Sequence, residues 1–205
     1  MFERSNRIII KGSIAAPPVY DHSVLGEAFF KMTVAAKRLS GTVDLVPVTV
    51  SERLLGPDES AYDEGEPILI TGQIRSYDQR SETGNHLILT VFAREVSVPE
   101  AGEDVNEAEL IGHIVKPVVY RTTPFSREIA DMLISVGRRY GKSDRLPAIA
   151  WGRNARFAGG LMPGDVVAVR GRMQSRRYQK LLPNGETVDR TAYEISCSSI
   201  EKQGY

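Results

Sequence analysis

Apolar and polar residues alternate along most of this chain. Ile8, Ile10, Gly12 and Ile14 share one parity, and Phe30, Met32, Val34 and Ala36 alternate in the same way. Residues two apart lie on one face of a strand, so each run predicts a half-buried β-strand. Further apolar runs at 46–50, 68–74 and 87–91 predict five strands in the first half. The second half holds one ambiguous stretch, 126–141. It opens like a capped helix, with Ser126 ahead of Glu128 and Ile129, Met132, Leu133 and Val136 at helical spacing. The same stretch also alternates, as Ala130, Met132, Ile134 and Val136. It matches the β-branched and aromatic run at 30–36, which predicts a strand. One short helix per half is expected near 51–62 and 152–162. Thr83-Gly84-Asn85 and Asn184-Gly185 read as hairpin tips.

The two halves repeat at an offset of one hundred residues. Gly12 recurs as Gly112, Ile14 as Ile114, Pro17 as Pro117 and Tyr20 as Tyr120; Met32, Arg38, Gly41, Asp44 and Pro47 recur as Met132, Arg138, Gly141, Asp144 and Pro147. Solenoid repeats are far shorter, about 20 to 50 residues, so this period marks two copies of a whole domain. Pro99, Gly102 and several acids at 98–106 interrupt the pattern and divide the chain into 1–103 and 107–205. Five strands and at most one short helix, twice over, predict an all-β fold: two tandem five-stranded Greek-key barrels of the oligonucleotide-binding (OB) type. Closing the sheet removes its exposed edges, and mid-strand Gly72 and Gly171 suit the tight curvature.

Composition adds little beyond a globular protein, with 41% hydrophobic and 25% charged residues. No apolar run reaches the ~18 residues of a membrane span, and the start shows no secretory leader. A single cysteine, Cys197, precludes an internal disulfide and fits a reducing, cytoplasmic setting. Charge is more informative. The net charge is zero, yet residues 1–106 carry 10 Lys+Arg and 16 Asp+Glu, giving −6, and the remainder is +6. That asymmetry points either to a polyanionic partner for the basic half or to attraction between the halves.

The second half reads Leu110-Ile111-Gly112-His113-Ile114, then a strand from Asp144 ending in Trp151-Gly152. A Pro163-Gly164-Asp165 turn follows, then a strand running into Ser175-Arg176-Arg177-Tyr178 before Asn184-Gly185. In this order the motifs resemble the bacterial single-stranded DNA-binding protein family, including its relative the primosomal replication protein N. The resemblance covers nearly all of the second copy and, more weakly, the first. It implies binding of single-stranded DNA without chemistry, in replication, recombination or repair, by a basic groove with aromatic stacking platforms. It also implies a homodimer that brings four barrels together. The family's acidic, partner-recruiting tail has no counterpart at 200–205, so replication or repair proteins stay candidate partners without that tail to recruit them.

The residues fit that expectation. Arg170, Arg172, Gln174 and Arg176 share one parity of a strand whose other parity, Val167, Val169, Gly171 and Met173, is apolar. Arg177, Tyr178 and Lys180 follow. Such a strip is either a solvated face or a track on which arginines pair with phosphates and a ring stacks a base. In the first copy the matching positions are Thr71, Gln73 and Tyr77, so that copy is expected to be a scaffold or a weaker site. Trp151, flanked by Arg153 and Arg156, reads as core or as a stacking ring. Arg138, Arg139 and Lys142 form a second basic cluster that the first copy matches with Lys37 and Arg38. Tyr20 and Tyr120 are expected to pack the first hairpin. Asp44 and Asp144 lack a partner acid or histidine and read as turn or capping residues. The three histidines are scattered, and no metal, cofactor or catalytic motif is present, so no enzyme is expected. A rival reading is a protein-interaction module, such as a replication-restart or phage accessory factor. RNA is a further candidate ligand.

Overall fold

The alternating segments fold as strands. The computed structural model describes residues 5–81, 84–138, 141–181 and 185–204. Barrel one comprises β1 (Asn6–Val24), β2 (Glu27–Lys37), β3 (Val43–Ser51), β4 (Pro67–Ser81) and β5 (Gly84–Ser97). Barrel two comprises β6 (Val105–Ile114), β7 (Val119–Thr122), β8 (Glu128–Gly137), β9 (Ser143–Trp151), α1 (Arg153–Ala158), β10 (Val166–Leu181) and β11 (Thr187–Lys202). In barrel one the order is β2-β3-β5-β4-β1, and a β1–β2 pairing closes it. In barrel two β6-β10-β11-β9-β8 is closed by β6–β8. There β6 and β7 together flank β8 as the longer β1 alone flanks β2. In each barrel one pairing is parallel, β3–β5 and β9–β11. This is the predicted OB-type architecture, in both halves.

The inward parity is buried as the pattern requires: Ile8, Ile10, Ile14 and Val34 in barrel one, and Leu110, Ile114, Ile134 and Val136 in barrel two. The ambiguous stretch is strand β8, with Ala130, Met132, Ile134 and Val136 facing the core. Ser126 caps nothing. It sits in a turn with φ of 57°, donating its N–H to the Thr123 carbonyl at 2.9 Å. The expected helices are short: 3-10 turns at Glu52–Leu54 and Glu59–Tyr62 in barrel one, and α1 in barrel two. A Cβ on Gly72 would lie 2.4 Å from the Phe92 carbonyl oxygen, and one on Gly171 2.2 Å from that of Ser196. Each glycine adjoins a register shift that leaves Arg94 or Ser198 as an extra residue, the bulge that bends the wall. Cys197 is buried beside Gly171, and burial pushes its thiol up to about 12. Of the two predicted hairpin tips, residues 82–83 and 182–184 lie outside the described residues.

The barrels join edge to edge. β1 pairs antiparallel with β6, Ile8 opposite Ala108, so equivalent residues meet across a pseudo-two-fold axis. Asn6 donates to the Ile74 carbonyl and accepts from the Ile74 N–H, both at 2.8 Å. Asn106 does the same with Met173, at 2.7 and 3.1 Å. Asp44 and Asp144 are not the turn or capping residues expected from sequence. They are 1% and 0% exposed and form ion pairs with Arg38 and Arg138, six residues earlier and just past the end of the preceding strand. A buried carboxylate is tolerated only when its lone pairs are filled. Asp144 also accepts from barrel one, from Arg75 at 3.2 Å and the Ser76 N–H at 2.6 Å. Asp44 faces barrel two, with the Arg172 Nε at 3.8 Å.

Candidate nucleic-acid interface

A groove of about 1130 Å³ lies on the outer wall of barrel one and reaches over the seam. Arg7, Lys31, Arg75, Arg94, Arg138 and Lys142 line it against one carboxylate, Asp21. The acidic half of the chain thus presents a cationic groove, completed by Arg138 and Lys142 of the basic half. Rings stand among the cations. His22 stacks on Phe29 at 5.2 Å and 14°, Phe29 meets Phe92 at 5.9 Å, and the Arg94 guanidinium lies 5.5 Å from the Phe92 ring centre. Tyr77 also lines the groove and is 41% exposed.

Several charges here are tethered rather than loose. Lys31 pairs with Asp21 at 2.7 Å, which holds the Asp21 carboxyl below its usual range and raises the Lys31 ammonium. Burial pushes the Arg75 guanidinium down and Asp144 partly restores it. Arg172 is lowered by burial and by neighbouring Arg38, against the pull of Asp44. Asp44 in turn raises Arg38. Arginine stays charged through all of this, so each remains a cation at neutral pH.

The residues named from sequence fall into three groups. Arg170, Arg172, Gln174, Arg176 and Tyr178 keep one parity along β10. Arg170 pairs with Glu109 at 3.2 Å, both exposed, and the Arg176 guanidinium lies 5.6 Å from the Tyr178 ring centre. Arg172 turns into the seam, and its buried Nε donates no hydrogen bond. Around Trp151, which is 41% exposed at the end of β9, Arg153 is exposed and Arg156 pairs with Glu128 at 2.9 Å. β11 separates this group from β10. The third group is split. Arg38 and Arg138 are bound to the buried aspartates, whereas Lys37 is exposed. Arg177 is exposed on the other parity of β10. Arg139 and the Lys180 side chain lie outside the described residues. Tyr20 and Tyr120 stand on their hairpins, Tyr20 edge-on to Phe30 and Tyr120 donating to Glu128 at 2.5 Å.

Sequence reasoning missed Lys31, Arg75, Arg94 and Phe92. The comparison of copies followed β4 and β10 alone, while the groove draws cations from β1, β2, β4, β5 and the far side of the seam. A signal for the seam existed, since Asn6 and Asn106 also recur at the offset of one hundred.

Residues 105–203 match the model of the single-strand binding protein family. The second barrel is thus similar to that family. Members of that family bind and do not catalyse. The single-stranded DNA binding protein from Thermus aquaticus is similar in structure over both halves. The TM-score is 0.78 at 18% identity, covering 98% of this chain and 93% of that one. A deletion mutant of the same Thermus protein gives 0.72 at 20% identity, covering 98% and 95%. These likenesses carry the fold across both barrels. The N-terminal domain of PriB protein from Thermoanaerobacter tencongensis is 37% identical over 46% of this chain and 98% of that one, with a TM-score of 0.39. No curated protein matches the chain. No helix among the described residues is long and apolar enough to cross a membrane.

Proposed function

We propose that this chain binds single-stranded DNA, following a path from the barrel-one groove over Arg138 and Lys142 and on along β10 of barrel two. The observation that carries this reading is the groove itself: six cations and exposed rings against one carboxylate, next to a barrel similar to the single-strand binding family. Phosphates pair with cations while bases lie on rings, which is the chemistry a sequence-tolerant single-strand site needs. Barrel two contributes Arg170, Arg176, Arg177 and Tyr178, with Trp151, Arg153 and Arg156 beyond β11. Barrel one is more than a scaffold in this reading, because Arg7, Lys31, Arg75 and Arg94 belong to it. Arg38, Arg138 and Arg172 act first as seam residues and touch DNA only through whatever face the aspartates leave. Two chains associating as a dimer would set four barrels around one strand. The role that follows is to protect or organise single strands during replication, recombination or repair in the cytoplasm.

The test is Trp151 emission titrated with a long oligo-dT at two salt concentrations. For ~4 phosphate contacts, a slope near −0.7 per contact gives roughly 50-fold weaker binding for a fourfold rise in salt. An unquenched Trp151 with no salt-dependent binding by a second method, such as anisotropy of labelled oligo-dT, would refute the reading.

A further inference from the structure

The pseudo-two-fold axis at the β1–β6 seam carries each residue of barrel one onto a mate in barrel two. Ile8 stands opposite Ala108, one hundred residues on, and β1 and β2 keep that offset. On β4 the bulge glycines Gly72 and Gly171 set it at 99. On β5 their partners Ala93 and Cys197 set it at 104. The groove cations Arg7, Lys31, Arg75 and Arg94 therefore map onto Glu107, Asp131, Gln174 and Ser198. Four positive charges become two negative ones. The exchange also runs the other way, since Arg170, Arg172, Arg176 and Arg177 map onto Thr71, Gln73, Tyr77 and Asp78. The two outer walls are thus chemically unlike over strands and aspartates that match.

That difference bears on direction. A nucleic-acid strand is polar and a twisted barrel is chiral, so one barrel holds the two senses of a strand with unequal strength. Two identical barrels across a two-fold axis cancel that preference, because a continuous strand crosses them in opposite senses. Here the mate of the groove carries negative charge, which repels the phosphate backbone. The cations of β10 lie at other positions, so they do not rebuild the opposing copy. We propose that the chain holds a single strand in one sense, the same end always on barrel one, and that the unopposed groove sets this polarity. The proposal rests on the single-strand reading above and adds to it a direction along the strand.

Trp151, the one tryptophan of the chain, stands on barrel two and reports which end of a strand lies near it. Oligo-dT of roughly 16 nucleotides, within the reach of two barrels, is labelled at its 5′ or its 3′ end with a dye that accepts tryptophan emission. Anisotropy fixes the bound fraction, and sensitised dye emission is read at one strand per chain. One end should transfer at least about twice as efficiently as the other, because a roughly tenfold preference leaves few strands reversed. Glu107→Arg with Ser198→Arg, both exposed, rebuilds part of the missing mate. It should tighten binding yet bring the two ends closer to equal, a combination that damage to the fold cannot produce. Arg7→Gln with Arg94→Ser, also exposed, should weaken binding and shrink the same difference. Equal transfer from both ends of a bound strand would overturn the proposal with the single-strand reading intact. So would a difference that neither pair of substitutions reduces. An unsubstituted chain that binds neither labelled strand would sink the parent reading, and the proposal with it.

Discussion

In barrel one Asp21 and Lys31 pair across β1 and β2 at 2.7 Å; one hundred residues on, Arg121 and Asp131 pair across β7 and β8 at 2.9 Å with the signs exchanged. The seam shows a similar inversion. Barrel one carries Gln73 and Arg75 where barrel two carries Arg172 and Gln174, and in both the arginine bonds the glutamine. By contrast Asp44 and Asp144, Arg38 and Arg138, and Asn6 and Asn106 are the same in both copies. The difference tracks burial. An exposed cross-strand pair needs only opposite signs, so it survives inversion. A carboxylate at 0–1% exposure must have its charge answered, so each keeps its arginine six residues earlier and takes a second arginine from the other barrel, Arg75 for Asp144 and Arg172 for Asp44. The outer wall is under neither constraint, and there the copies have diverged into a ring-lined groove and an arginine-lined strand.

The comparison is most sharply tested at the buried aspartates. Asp144→Ala should destabilise the chain by about 3–5 kcal/mol, since it leaves Arg75, Arg138 and the Ser76 N–H without their acceptor. Asp44→Ala should cost about 1 kcal/mol less, because no backbone N–H among the described residues bonds to it. Urea midpoints at constant m would show the gap, and equal losses would mean that the two hubs are equivalent. Next, Gly72→Ala and Gly171→Ala should each cost at least about 1–3 kcal/mol in thermal unfolding, since backbone carbonyls occupy the Cβ space in both barrels. Trp151→Ala should weaken oligo-dT binding by about 1–3 kcal/mol, read by anisotropy of a labelled strand. The smallest effect belongs to the inverted pairs. Lys31→Ala should cost less than about 1 kcal/mol at pH 7. Lys31 holds the Asp21 carboxyl below its ordinary 3.8, so that stabilisation is complete above that value and fades as pH falls through the lower folded one. The melting temperatures of Lys31→Ala and the unsubstituted chain should therefore converge as pH falls below 3.8.

Much of the fold was legible because period-two alternation and a fixed repeat are local signals. They gave the strands, the two barrels and the strand identity of β8, despite the helix-like start at Ser126. The seam was not legible. A recurring aspartate looks the same in sequence whether it turns the chain or lies buried across an interface, and only the β1–β6 register brings Arg75 to Asp144. The candidate site was half legible for the same reason. Arg170, Arg176 and Tyr178 lie on one strand and could be found by parity. Lys31 on β2, Arg75 on β4 and Arg94 on β5 converge from separate strands and could not.

Seven residues, 98–104, tie the end of β5 to the start of β6. A tether that short keeps the partners at an effective concentration on the order of millimolar, so dilution alone cannot part them. Two identical barrels meeting as separate molecules must change together, since one gene writes both. Here a substitution alters one side and leaves its twin untouched, which is the freedom that lets signs invert and rings gather on a single wall.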